Sequence, residues 1–140
     1  MEDKKILVAI DGSPHSDRVV AAGIEYAKLL KAKVVLVYCH RRIPAIVGEP
    51  SRSDSTAYII ERAEKLITSY TSRFREAAIP VEERLMEEPA SPAITEVARI
   101  QHCELIIMGS RGLTNLEGLF VGSVTNRVLH TTPCSVLVVK

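Results

Sequence analysis

The chain has 140 residues, 46% of them hydrophobic and 25% charged, with 18 Lys plus Arg against 17 Asp plus Glu and a formal net charge of +1. This is a globular composition, and the length predicts a single domain, residues 1–140, able to bury about 68–70% of its unfolded surface. The charge balance argues against a dedicated nucleic-acid or membrane-surface binder, and no apolar run nears the roughly 20 residues of a membrane span.

The N-terminus, Met1-Glu2-Asp3-Lys4-Lys5, has no signal-peptide layout. Ile6 to Ile10 is a continuous apolar run, the pattern of a strand covered on both faces. Ser13-Pro14 predicts a helix start, with a capping oxygen before a proline at the first helical position. Val19, Val20, Gly23, Ile24, Tyr26, Ala27 and Leu30 then recur at helical spacing. Val34 to Cys39 is a second strand. The stretch from Arg41 to Ser55, with Pro44, Gly48 and Pro50, reads as a loop, either a lid or a disordered segment. Ile59, Ala63, Leu66, Ile67, Tyr70, Phe74 and Ala77 form a long helical stripe. Pro80 to Met86 is a weaker, more alternating strand, and Ser91-Pro92 repeats the Ser-Pro start before Ile94, Val97 and Ala98. Leu105 to Met108 and Val136 to Val139 are the last two strands, with a helical pattern from Val124 through Val128 and Leu129 between them.

Strands alternating with helices imply a mostly parallel sheet with right-handed crossovers. In such sheets ligands bind beyond the carboxyl ends of the strands. The residues that follow the first and fourth strands are Asp11-Gly12-Ser13 and Gly109-Ser110-Arg111-Gly112. Nine residues after Gly112 come Gly122-Ser123-Val124-Thr125, where the helical pattern resumes. Glycines admit a ligand close to the backbone, and a helix N-terminus offers unpaired N–H donors and partial positive charge. The combination is an anion site suited to phosphate. Ser123 and Thr125 add hydroxyl donors and Arg111 a forked cation. Gly122 is followed by Ser-Val rather than Lys-Ser/Thr, so this is no P-loop, and no dinucleotide G-x-G-x-x-G follows the first strand. The lone Asp11 does not make the paired acids of a receiver domain.

Gly109-x-x-Gly112, nine residues, then Gly122-Ser123 resembles the ATP-binding motif of the universal stress protein family. Lys5 to Ser13 looks like that family's first strand and acidic turn, and Pro133 to Val139 like its end; the resemblance covers essentially the whole chain. It implies an open five-stranded parallel sheet in the order 3-2-1-4-5, with helices on both faces, of the adenine nucleotide alpha hydrolase-like kind. ATP would lie across the ends of strands one and four, bringing Mg²⁺ with it. Carried over by position, Asp11 lies near the ribose and the metal-bound phosphates, and Cys39 reads adenine through its backbone. Ala9 also borders the nucleotide. Met108, Gly109, Arg111 and Gly112 line the ribose and phosphate side, and Gly122, Ser123, Val124 and Thr125 cradle the phosphates. The resemblance further implies a homodimer through the fifth strand, Val136, Leu137, Val138 and Val139; an unpaired apolar edge invites a second copy. One departure is Glu88, which stands after the third strand where family members often carry glycine.

Other residues read more plainly. Ser13, His15 and Asp17 crowd one helical turn and cannot converge as a hydrolase triad. His15, His40, His102 and His130 have no ligand spacing, so no metal site of protein ligands alone is assigned. The odd count of cysteines, Cys39, Cys103 and Cys134, predicts small inert thiols in a reducing, cytoplasmic setting. Arg41 and Arg42 read as a charged loop start, and the apolar residues of Leu113 to Phe120 as a packed loop or a nucleotide cover. The expected function is an ATP-binding stress-response module whose protein partner is unknown. Alternatives are a nucleotide-free adaptor dimer and a slow Mg²⁺-dependent ATP hydrolase using Asp11 and Arg111, although no water-orienting residue is evident.

Overall fold

The computed structural model describes residues 3–44, 46–110 and 121–140. The elements are β1 (Lys5–Ile10), α1 (Ser16–Leu30), β2 (Lys33–His40), α2 (Ser51–Glu76), β3 (Val81–Glu87), α3 (Ala90–Ile100), β4 (Leu105–Gly109), α4 (Ser123–Thr131) and β5 (Ser135–Val139). The five strands form one sheet in the order β3-β2-β1-β4-β5, and every pairing is parallel. This is the predicted order.

Alternation along the strands builds two cores. Ile6, Val8, Val34, Leu36 and Ile107 face α1 and α2, meeting Val20, Ile67 and Phe74. Leu7, Val35, Val37, Ile106 and Met108 face α3 and α4, meeting Ile94, Val97 and Val128. Central strands buried on both sides need apolar residues at every position, which is why they read as unbroken runs. The edge strands β3 and β5 are only partly buried, so their patterns are weaker. No helix among the described residues is long and apolar enough to cross a membrane.

Three boundaries depart from expectation. Helix α2 starts at Ser51, so the polar residues 51–55 are its first turn rather than the end of a loop. The N–H of Arg52 donates to the Gly48 carbonyl, the Ser53 hydroxyl donates to the Glu49 carboxylate, and Asp54 lies in the first turn, where its charge suits the helix dipole. The two Ser-Pro pairs do not cap. Helix α1 starts at Ser16, beyond Pro14, and the buried Ser13 hydroxyl has no partner among the described residues. Helix α3 starts at Ala90, which puts Ser91 and Pro92 inside its first turn. The first four N–H groups of a helix lack intrahelical partners, so proline is tolerated through that turn and does not fix the starting residue.

Gly23 in α1 lets the helix settle on β1. A Cβ there would stand 2.8 Å from Val8 Cγ2 and 3.3 Å from Phe74 Cζ. Both neighbours are fully buried, so neither can swing away. Gly23→Ala gains about 1 kcal/mol of helix propensity but overpacks the core, at a cost of about 1–3 kcal/mol. Net destabilisation is expected in urea unfolding, and an unchanged or raised midpoint would contradict this account of the contact.

Candidate functional site

The carboxyl ends of β1, β2 and β4 open into a cleft of about 350 Å³. It lies where the connections diverge, with α1 covering one face of the sheet and α3 and α4 the other. Of the residues proposed from the sequence, Ala9, Asp11, Cys39, Met108, Gly109, Gly122, Ser123, Val124 and Thr125 all line it. Arg111 and Gly112, and the apolar stretch 113–120, lie outside the described residues.

The turn after β1 is organised by Asp11. Its Oδ1 accepts the Ser13 N–H at 2.9 Å and the Ser16 hydroxyl at 3.1 Å, and the Ser16 Oγ in turn accepts the Asp11 N–H at 3.3 Å. Asp11 therefore does the anchoring expected of Ser13. Its second oxygen has no hydrogen bond among the described residues, and Asp11 lines the cleft. Gly12, at φ +80°, turns the chain between them.

At the end of β2 the ladder leaves a carbonyl over. The Lys33 N–H donates to Lys4, and the His40 carbonyl accepts from Glu88. Odd residues of β2 thus turn their backbone groups to β1 and even ones to β3. The last β1–β2 pair is Ile10 with Tyr38. The Cys39 carbonyl consequently projects past the end of β1, at the cleft.

The third wall is the start of α4. Gly122 is its N-cap, with φ −67° and ψ 161°, a backbone open to any residue. What glycine contributes here is the missing side chain rather than positive φ. The Gly122 N–H donates to the Ser110 carbonyl at 2.6 Å, and the first helical bond runs from Asn126 N–H to the Gly122 carbonyl. The N–H groups of Ser123, Val124 and Thr125 are left without backbone partners among the described residues. Ser123 is the first helical residue, not a cap. Thr125 corrects a second expectation. Its hydroxyl donates to the Gly109 carbonyl at 2.7 Å, and the residue is buried. Its single proton is spent joining α4 to β4, so it has backbone N–H, not hydroxyl, to offer an anion.

The cleft has two electrostatic ends. Asp11 and Glu88 bring carboxylates, while Arg41 and His15 stand among the lining groups. Burial, then the charges of Glu88 and Asp11, pushes the Tyr38 phenol upward. Burial first, and Glu88 second, pushes the Cys39 thiol up to about 12. Cys103, buried elsewhere, is raised to about 11. Among the described residues no cluster of three or more His, Cys, Asp or Glu is arranged to hold a metal.

Sequence reasoning missed several lining residues. Val37 could have been found from its parity, two residues before Cys39 on the same face. Ala90 and Ile94 share one face of α3 at i, i+4 spacing. Tyr38 and Ile10 lie on the opposite face and enter only because the cleft straddles the sheet's end. Arg41, read as a loop charge, lines the cleft too.

The comparisons agree with this architecture. The sequence pattern of the universal stress protein family matches residues 3–140. A Thermus aquaticus relative, "Universal stress protein in QAH/OAS sulfhydrylase 3′ region", is 35% identical over 140 residues, covering 98% of each chain. The chain belongs to the universal stress protein family. Among solved structures, universal stress protein UspA from Lactobacillus plantarum superposes with a TM-score of 0.83 at 18% identity, over 100% of this chain and 99% of its own. The Archaeoglobus fulgidus universal stress protein in complex with dAMP gives 0.73 at 21% identity, over 100% of both chains. These likenesses establish the family's fold for this chain.

Two outcomes follow from the local chemistry. Asp11→Ala removes the acceptor for two donors and is expected to lower stability by about 1 kcal/mol. Asp11→Asn keeps an acceptor oxygen and should lose less; equal losses in urea unfolding would overturn the account of Asp11 as the anchor of the turn. The raised Cys39 thiol stays protonated until the pH approaches about 12. Its alkylation by iodoacetamide, followed by peptide mass spectrometry, should therefore stay slow through neutral and mildly alkaline pH. Rapid labelling of Cys39 in the folded protein would contradict a thiol held protonated by burial.

Proposed function

We propose that this chain binds an adenine nucleotide, ATP with Mg²⁺, in the cleft and acts as a nucleotide-responsive stress-response module. The observation that carries the reading is the cleft's division of labour. One end presents the unpartnered N–H groups of the first turn of α4, a donor set suited to phosphate. The rest of the lining is largely apolar, with Ala9, Val37, Ile94 and Met108, and includes Cys39 at the end of β2. A base between those side chains can give a hydrogen to the Cys39 carbonyl. In this reading the second Asp11 oxygen, unpaired among the described residues, would take a ribose hydroxyl or a phosphate-bound Mg²⁺. A single carboxylate suffices there, since Mg²⁺ takes most of its ligands from phosphates and water. The dAMP carried by the Archaeoglobus neighbour directs the choice of base toward adenine.

The same reading has the protein working in the cytoplasm as a homodimer through β5, whose outer edge has no strand beside it in this sheet. Arg111 and Gly112 are assigned to the phosphate side by the family motif.

Thermal denaturation of nucleotide-free protein tests the proposal. Ligand at about 100 times its Kd adds about 2.7 kcal/mol, a shift of several degrees at this size. ATP and AMP should each shift the transition saturably, with Mg²⁺ strengthening ATP. Gly122→Val places a branched side chain at the phosphate end and should abolish the shift, measured from an unliganded melting temperature that falls modestly because valine is a poorer N-cap than glycine. No shift in the parent protein would favour a nucleotide-free adaptor instead, whereas an equal shift in Gly122→Val would overturn the placement of the phosphates at the start of α4.

A further inference from the structure

Resting on the adenine-nucleotide reading above, we propose that Glu88 selects the base: its carboxylate accepts a hydrogen from the amino group at purine position 6, so the cleft prefers 6-amino over 6-oxo nucleotides. Placement comes first. The Glu88 N–H donates to the His40 carbonyl at 2.9 Å, carrying the β2–β3 ladder one step beyond Glu87. Cys39 is paired with Met86, and both pack on the α3–α4 face. Glu88, two residues on, lines the cleft together with Cys39, Ala90 and Ile94.

The carboxylate is also uncommitted. Neighbouring Glu87 is paired with Arg42 at 3.2 Å, whereas Glu88 has no ion pair or side-chain hydrogen bond among the described residues. Its charge reaches inward, raising both Tyr38 and Cys39. Yet it lies away from the phosphate end. In the sheet order β3 and β4 are three strand spacings apart, about 14 Å. A base at one end and phosphates at the other therefore avoid like-charge repulsion.

The chemistry then discriminates. The Cys39 carbonyl and an ionised Glu88 carboxylate are both acceptors with no proton to give. An amino group with two hydrogens satisfies both. A 6-oxo group sets its lone pairs against theirs, so the analogue without the amino donor binds more weakly, by less than at a fully buried site because Glu88 is exposed.

Calorimetric titration of nucleotide-free protein with AMP and with inosine monophosphate tests this. A hydrogen bond to a charged acceptor predicts that AMP binds about tenfold or more tighter. Glu88→Gln, whose amide can turn an N–H toward the ligand, should narrow that preference to about threefold or less, and Glu88→Ala should weaken AMP while sparing inosine monophosphate. Glu88 is exposed, so both variants should fold, and their melting temperatures check this. AMP binding whose preference is absent, or unchanged in both variants, would overturn the role of Glu88 alone. Failure of the parent protein to bind either nucleotide would instead overturn the nucleotide reading and the inference with it.

Discussion

The ladder between β1 and its two neighbours is the constraint from which the rest follows. β1 lies at the centre of the sheet, paired on one side to β2 and on the other to β4. A parallel sheet needs crossovers, and crossovers lay helices over its faces. Here α1 and α2 take one face and α3 and α4 the other, leaving Ile6, Leu7 and Val8 with no exposed surface. With both faces closed by helices, the cleft opens at the strand ends. The cleft forms at the carboxyl end of β1 because the chain leaves β1 through α1 toward β2 on one side and returns from β3 through α3 to β4 on the other.

Backbone groups, rather than long side chains, supply much of the cleft's polarity. The Cys39 carbonyl is left over because β1 stops one residue too soon to pair with it. The N–H groups of Ser123, Val124 and Thr125 are left over because helices begin with unpaired donors. Such groups hold their direction without loss of side-chain entropy. Asp11 is held nearly as firmly, with one oxygen locked by Ser13 and Ser16. Glu88 and Arg41 are longer and rim the opening, where sequence can change without disturbing the sheet.

The legible parts of the sequence share one cause. Double-sided burial forces apolar runs, so β1, β2 and β4 can be read directly and the topology inferred from their alternation with helical stripes. Asp11, Cys39 and Gly109 were accessible because they end those runs. The glycine pattern, through the family resemblance, carried the rest of the site. Helix starts were less legible. Ser13, Ser91 and the polar residues 51–55 occupy first turns or approaches to them, where several sequences satisfy the same unpaired N–H groups. Thr125 shows a further limit: residue type reveals a hydroxyl but not where its proton goes, and here the end of β4 takes it. Glu88, which follows the third strand, was legible at the cleft mouth from that position, whereas Tyr38 enters from the opposite face of its strand, a placement that needs register, not pattern.

Ser110 is a small residue with an unusual position in the backbone wiring. Its N–H donates to the Val139 carbonyl, and its own carbonyl receives the Gly122 N–H. One residue thus joins the outermost strand of the sheet to the residue that opens α4. β5 is therefore a mechanical support of the cleft wall as well as an edge strand. Whatever pulls on, trims or overlays β5 acts on the anion-facing end of the cleft through two hydrogen bonds, so edge and interior behave as parts of one lever.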